Sequence, residues 1–319
     1  MNFQRRSFIT KLSILSALLP FANILTGAKL LFASEENIGN FKYIYSNQKL
    51  KDEFLLFLTN VFHLFPEQKF HDLIAQISNS KNTDQDIYKE LQGKLKSIKP
   101  FLAELRLALP ALAAQKKIMT KQTLELLGSK TKFDGYMELG TTGRYIGALE
   151  DHIEVKGNLY LLHDKPAGYG PEDIVERGQL SKIGKYLDMS NYSSKFSKNI
   201  SKNSLELVTV YIGFHHCPLE LREEFITSIR DVMKVGGKLI LRDHDAHNED
   251  MLRMAALAHD VFNLGTNETL KTNSDEIRNF YSLSFIINYL ENIGFKFDGK
   301  KLFQPGDPTK NALMAFTKI

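Results

Sequence analysis

The chain has 319 residues, 43% of them hydrophobic, and a formal net charge of +4. That is enough apolar material for one large domain, or a medium domain with a helical attachment, and the acids and lysines are too evenly mixed for a nucleic-acid surface to be expected. Its single cysteine, Cys217, excludes an internal disulfide and a cysteine-built zinc site.

The first element in chain order is the segment 1–33: arginines, then an apolar run, then small residues around Thr26-Gly27-Ala28 and at Ala33. This is the layout of an export signal. Arg5-Arg6-Ser7-Phe8-Ile9 resembles the twin-arginine signal, departing from it in Gln4 and in a lysine one place late at Lys11. The resemblance implies transport of an already folded, exported protein, periplasmic in a two-membrane cell. The other reading is an N-terminal helix that is buried or lies on a membrane with a cytoplasmic domain behind it, because Pro20 and Lys29 interrupt the run.

Residues 40–129 form a second region, in which apolar residues recur at helical spacing: Phe54, Leu55, Phe57, Leu58, Val61 and Phe62, then Leu102, Leu105, Leu107 and Leu109. Pro66, Pro100, Pro110 and the polar stretch 78–86 divide it into several helices. From 130 to 319 the texture changes to short apolar runs alternating with helical stretches, the mark of a sheet covered by helices. Strands are expected at 135–139, 158–162, 204–212, 238–241, 295–303 and 312–318, the last two as an antiparallel pair, with helices at 219–233 and 282–292. Gly140 and Gly143 make a tight turn after the first strand, and 144–149 starts a helix.

Four features then fall in order: the turn ELGTTGRY at 138–145, the pair His215-His216 after a strand, the phrase IRDVMKVGGKLILRDHD at 229–245, and the closing runs GFKFDGKKLF and NALMAFTKI. Over 130–319 the chain resembles the class I S-adenosylmethionine-dependent methyltransferases. The resemblance implies an α/β fold with a doubly wound, Rossmann-like methyltransferase sheet, mostly parallel with an antiparallel C-terminal strand, behind the N-terminal helical region. It implies S-adenosylmethionine as cofactor and methyl transfer to a small-molecule acceptor, for which an apolar pocket under the helical cap is one option. It assigns Glu138 to the methionine end of the cofactor, Gly140 and Gly143 to its close approach, Asp164 to the ribose hydroxyls and Asp188 to the adenine. The chain departs from the family loop at Thr142 and Arg144, where glycines usually stand, and a threonine there restricts the backbone.

Seven of the nine histidines lie between His152 and His259, several at expected strand ends: His163-Asp164, His215-His216 and Asp243-His244-Asp245, with His247 behind them. In a parallel sheet these ends share the edge where ligands bind. One use is proton transfer, for which His215, Asp243 and His244 are the candidates. Another is a divalent metal held by His and Asp, which would assist a methyltransferase or run a hydrolase on the same sheet. A third leaves a binding module without catalysis, in which Asp243 or Asp245 caps a helix and His259 is a packed core side chain. Cys217 is not expected to be a nucleophile, and His63, His71 and His152 read as structural.

Overall fold

The computed structural model describes residues 38–98, 109–170, 174, 177 and 183–319. The segment 1–33 with its arginine pair, and Pro100, Leu102, Leu105 and Leu107, lie outside the described residues. Residues Ile38–Ile319 form one compact unit. Among the described residues no helix is long and apolar enough to cross a membrane.

The helical region opens with α1 (Asn40–Ser46), α2 (Gln48–Phe57), α3 (Glu67–Ser80) and α4 (Asp84–Ile98). Asn47 caps α2 by accepting from the Leu50 amide, and Asp84 reaches across to the first amides of α1, those of Asn40 and Phe41. A carboxylate at a helix N-terminus satisfies donors that have no partner within the helix. The aromatic stripe is core: Phe54, Phe57, Phe62, Phe65 and Phe70 are buried together with Ile74 and Leu91. The same cluster takes in Met254, Leu257 and Val261, so these four helices and α8 (Glu249–Gly265) share one interior.

After α5 (Leu109–Leu127) come β1 (Lys132–Leu139), the single turn α6 (Ile146–Leu149), β2 (Glu154–His163), β3 (Lys185–Asp188) and β4 (Leu205–Val210). They are followed by α7 (Leu219–Val232), β5 (Met233–His244), α8, α9 (Leu270–Asp275), α10 (Leu283–Asn292), β6 (Phe295–Phe303) and β7 (Asn311–Lys318). The seven strands lie in the order β3-β2-β1-β4-β5-β7-β6, with β7 antiparallel to both neighbours and the others parallel. This is the Rossmann-like methyltransferase sheet with its antiparallel C-terminal strand. The chain winds outward from β1 to β3, then returns to place β4 on the other side of β1, so the topological switch point lies between β1 and β4.

Both faces are covered, which is why the central strands read as apolar runs rather than alternating ones. Phe225 and Ile229 of α7 and Leu283, Ile286 and Leu290 of α10 pack with Met137, Val208, Leu239 and Phe316. Met119 and Leu127 of α5 pack on the opposite face with Tyr136, Leu207, Ile240 and Leu313. The outer strand β6 is largely exposed and carries Lys296, Lys300 and Lys301, charges that discourage pairing with another chain.

Three expectations need correction. The strand β3, four residues long and half exposed, is too short for its pattern to be read from sequence. The strand expected at 238–241 is longer at both ends: α7 stops at Val232 and β5 runs from Met233 to His244, with a register shift against β4 beside Gly236, whose φ is +78°. The helix expected from 144 is only the turn Ile146–Leu149.

Gly140 has φ +81°, and a Cβ there would lie 2.3 Å from the Ile212 carbonyl oxygen, so the β1 turn is pressed against the end of β4. Gly140→Ala should cost at least about 2 kcal/mol, from the left-handed backbone and the clash together, lowering Tm by about 5 °C or more. Gly236→Ala, with open space around its Cβ, should cost about 1 kcal/mol. Equal thermal midpoints for the two variants would show that the turn yields.

Candidate functional site

The carboxyl edge of the sheet holds two groups of polar residues, one on each side of the switch point. The first is built on Glu138, the penultimate residue of β1, which is fully buried. Its Oε1 accepts from the Thr141 hydroxyl and the Tyr145 amide (3.2 Å), and its Oε2 from the Tyr136 hydroxyl (2.9 Å) and the Ile146 amide (2.9 Å). Thr141 Oγ1 in turn accepts from the amides of Gly143 and Arg144 at 3.2 and 3.1 Å. Burial raises the Glu138 pKa, and the four donated hydrogen bonds oppose that rise by favouring the carboxylate.

A carboxylate has about four acceptor positions, and here all four are filled by the chain itself. The amides expected to be presented to a cofactor at the start of α6 are those of Tyr145 and Ile146, which Glu138 already holds. Glu138 therefore shapes the loop, and its carboxylate has no acceptor left for a direct contact with a cofactor's methionine end. Thr141, which completes this network, has no signal of its own in the sequence beside the two glycines and Thr142. Thr142 is buried with an unpartnered hydroxyl oxygen, and a Cβ on Gly143 (φ +95°) would lie 3.2–3.3 Å from the side chains of Ile183 and Leu161.

Beside this loop is a cavity of about 140 Å³ lined by Thr142, Leu161, His163, Lys165, Pro166 and Tyr186. Asp164 directly follows β2 and Asp188 ends β3, and both are exposed. His163 and Asp188 are register partners across the two strands. One Asp188 oxygen accepts from the Ser190 amide at 2.8 Å.

The second group lies beyond β4 and β5 and is larger than expected. His215 and His216 occupy a 3-10 turn after β4 (Phe214–His216), Asp243 and His244 end β5, and His259 comes from α8. The ring centroids of His215 and His216 are 4.3 Å apart, those of His215 and His259 4.9 Å, and those of His216 and His259 5.3 Å. His244 is 5.6 Å from His215, and Phe280 packs on His215, His244 and His259 at 5.0–5.5 Å. The structure thus brings together His215, Asp243 and His244, and adds His216, His259 and Glu276.

Each ring is oriented by a separate partner. His215 Nδ1 faces Asp243 Oδ1 at 2.9 Å, which also accepts from the His244 amide at 2.7 Å. His216 Nδ1 faces the Ile277 carbonyl at 2.7 Å and His244 Nδ1 that of Thr309 at 3.2 Å. A carbonyl only accepts, so both of those nitrogens carry the proton. Left over in the interior are His215 Nε2 and Asp243 Oδ2, buried and without a hydrogen-bond partner.

Burial, followed by the neighbouring His215, lowers the His244 pKa to about 3 and that of His216 to about 4, and burial takes His259 well below its ordinary value. Burial alone would raise Asp243, but the adjacent His215 holds it below the usual aspartate range. Burial likewise opposes the ionisation of Glu276, and the His259 ring and the Arg278 guanidinium more than offset it.

Several other residues fall outside both groups. Asp245 accepts from the first amide of α10, that of Leu283, at 2.9 Å beside the N-cap Ser282, so of the two aspartates at the end of β5 it is the one that serves a helix terminus. Cys217 is a buried thiol pushed up to about 12 by burial, consistent with its not being a nucleophile. His71 is buried against the Tyr45 hydroxyl, His63 lies beside Glu67, and His152 sits on an exposed turn. Next to the histidines, a cavity of about 310 Å³ runs between α1, α4 and α8, lined by Asn40, Asp84, Tyr88, Asp260, Glu276 and Arg278 among others. Its lining is mainly polar: Phe41 and Leu270 reach it, whereas Phe54, Phe57, Phe62, Phe65 and Phe70 belong to the interior and do not wall an acceptor pocket there.

No protein-family model matches the chain, and no curated protein matches it. Among solved structures it is similar to a SAM dependent methyltransferase from Archaeoglobus fulgidus at 10% identity, covering 65% of this chain and 94% of that one with a TM-score of 0.45. It is also similar to the 1,6-didemethyltoxoflavin-N1-methyltransferase of Burkholderia thailandensis, solved with S-adenosylhomocysteine, at 9% identity, 65% and 80% coverage and a TM-score of 0.42. The CurJ carbon methyltransferase aligns at 12% identity over 85% of this chain and 70% of its own, with a TM-score of 0.45. At such identities and scores these likenesses carry no functional argument, and the fold assignment stands on the strand order.

The buried imidazoles make stability depend on pH. His216 and His244 have folded-state values near 4 and 3, against about 6.5 in an unfolded chain. The unfolded state therefore binds more protons below about pH 6.5, and the stability present above that pH is lost as pH falls toward 4. Denaturant unfolding should show a loss of at least about 2 kcal/mol between pH 7 and pH 5, and His244→Gln should flatten that slope. A stability unchanged over this interval would mean that the rings are not held neutral.

Proposed function

We propose that the chain binds S-adenosylmethionine at the carboxyl ends of β1, β2 and β3 and transfers its methyl group to a small-molecule acceptor lodged toward the histidines. The observation that carries this reading is the pair of exposed carboxylates, Asp164 and Asp188, at the ends of the neighbouring parallel strands β2 and β3, on the β1 side of the switch point. That edge is where doubly wound sheets bind ligands.

The residues present fit the cofactor unevenly. Asp164 offers acceptors for two ribose hydroxyls, Asp188 has an oxygen left for the adenine amino group, and the unpartnered Thr142 hydroxyl is a polar group at the adjoining cavity wall. Glu138 does not fit as a ligand, because its carboxylate is occupied, and serves by fixing Gly140 and the loop that follows. A cavity of about 140 Å³ is below the roughly 300 Å³ at which ligand pockets usually begin, so binding includes some opening of the wall formed by Thr142 and Ile183.

When bound, the cofactor supplies a methyl group activated by its sulfonium centre. What the chain adds is alignment of an acceptor and a place for the acceptor's proton. His215 is suited to receive that proton. Asp243 fixes its Nδ1–H, so the Nε2 lone pair points away from the aspartate and has no other partner. His244, buried and with its Nδ1 bound to the Thr309 carbonyl, positions the group rather than taking the proton.

Calorimetry of the full chain with S-adenosylhomocysteine should give micromolar binding. Asp164→Ala should weaken it by about ten- to a hundredfold, the effect of about 1.5–3 kcal/mol for hydrogen bonds to a charged group. His152→Ala, on an exposed turn, should leave it unchanged. No heat from the wild-type chain at millimolar ligand would end the methyltransferase reading and leave the fold without its usual cofactor.

A further inference from the structure

We infer that His215, His216 and His259 form a binding site for a divalent transition-metal ion of the zinc class. One nitrogen from each of the three rings lies within 4.8 Å of the nitrogens of the other two, although the residues come from two separate elements, the turn after β4 and the helix α8. Four-coordinate zinc with bonds of about 2.0–2.1 Å needs nitrogens nearer together than that, so the rings must close by roughly an ångström. His216 and His259 are partly exposed, with side-chain accessibilities of 21% and 18%, so an ion can reach them from solvent.

The arrangement behind the rings is the second reason. Metal-binding histidines nearly always give their other N–H to a carboxylate or a backbone carbonyl, which fixes the tautomer and aims the lone pair. Here His215 gives Nδ1–H to Asp243, and His216 gives its own to the Ile277 carbonyl. Each is left with Nε2 as the ligand atom, and that of His215 is buried with no partner at all. An acceptor buried without a donor is costly, and coordination would satisfy it.

Glu276 supplies the third. Its Oε2 is engaged by Arg278 and by the Asn263 amide, whereas Oε1 lies 3.7 Å from His216 Nε2 and 3.8 Å from His259 Nδ1. Asp243 and Glu276 together place two carboxylates around the three imidazoles, which balances a divalent ion. Imidazole donors without a thiolate favour zinc, copper, nickel or iron over magnesium or calcium. Three protein ligands leave a fourth position for Glu276, water or a substrate oxygen. His244 stays outside the ligand set: its Nδ1 is given to the Thr309 carbonyl, and the three rings whose nitrogens converge are those of His215, His216 and His259.

The His215 lone pair cannot serve as proton acceptor and as ligand at once, so a bound ion would take the place of the base role assigned above, and the site is tested without cofactor. The full chain, carrying no polyhistidine tag, would be stripped with a chelator and titrated with Co²⁺ and Zn²⁺. One equivalent of Co²⁺ should bring up the visible absorption bands of four-coordinate cobalt, and Zn²⁺ should displace it. His216→Ala and His259→Ala should each weaken Zn²⁺ binding by at least about a hundredfold, and Asp243→Asn by about ten- to a hundredfold. His247→Ala, an exposed neighbour, should not. Should His259→Ala fail to fold by circular dichroism, His216→Gln at the more exposed ligand carries the test. A folded wild-type chain that takes up no ion at micromolar concentration, or a His216 variant that binds as tightly as wild type, overturns the site. A chain that binds S-adenosylhomocysteine but no metal loses this inference and keeps the preceding one.

Discussion

A carboxylate sealed from water, Glu138, ties the end of β1 to the loop and helical turn that follow it. Burying an ionised group is tolerable only when hydrogen bonds replace the lost hydration, and Glu138 has four, two from side-chain hydroxyls and two from backbone amides. That network takes the place of a long helix after the first strand. It explains how the turn through Thr142 and Arg144 keeps a defined shape. With the turn also pressed on the Ile212 carbonyl through Gly140, the middle of the sheet edge is fixed and the polar groups on either side have a rigid reference.

The two sides differ in kind. Toward β2 and β3 the edge offers exposed carboxylates and a small cavity, a surface suited to hydroxyl and amino groups. Toward β4 and β5 it offers a cluster of four imidazoles, two buried and two partly exposed, steadied by Asp243, Glu276 and a phenylalanine. Arg278 joins this cluster to the helical region, pairing with Asp260 at 2.7 Å while holding Glu276, and Asp260 lines the polar cavity shared with Asp84 and Tyr88. The helical region is thus part of the second site's surroundings and not an attachment to the sheet.

The sheet was legible because its central strands are apolar runs ended by chemically distinctive residues, and because the final two strands read as a pair. The exposed strand β3 was not, since four half-buried residues carry no period. Of the candidate site, His215, Asp243 and His244 could be grouped from the rule that parallel strands end at one edge. His259 and Glu276 could not, because a histidine on an amphipathic helix reads as core and nothing local ties Glu276, about sixty residues downstream of His216, to the cluster. Glu138 shows a different limit: an acid at a strand end has the right type and place for a ligand, and only the three-dimensional arrangement reveals that Thr141 and Tyr136 had already used it. The two aspartates at the end of β5 are equivalent in sequence, and only the approach of α10 makes Asp245 the one that serves a helix terminus.

The claim on which the account turns is that the β1–β3 end of the sheet edge receives the cofactor. The most direct measurement is the crystal structure of the full chain grown with S-adenosylhomocysteine. The account predicts the ribose against Asp164, the adenine toward Asp188, and Glu138 still bonded to Thr141 and to the amides of Tyr145 and Ile146. A ligand located elsewhere on the molecule, or none at a saturating concentration, would contradict it.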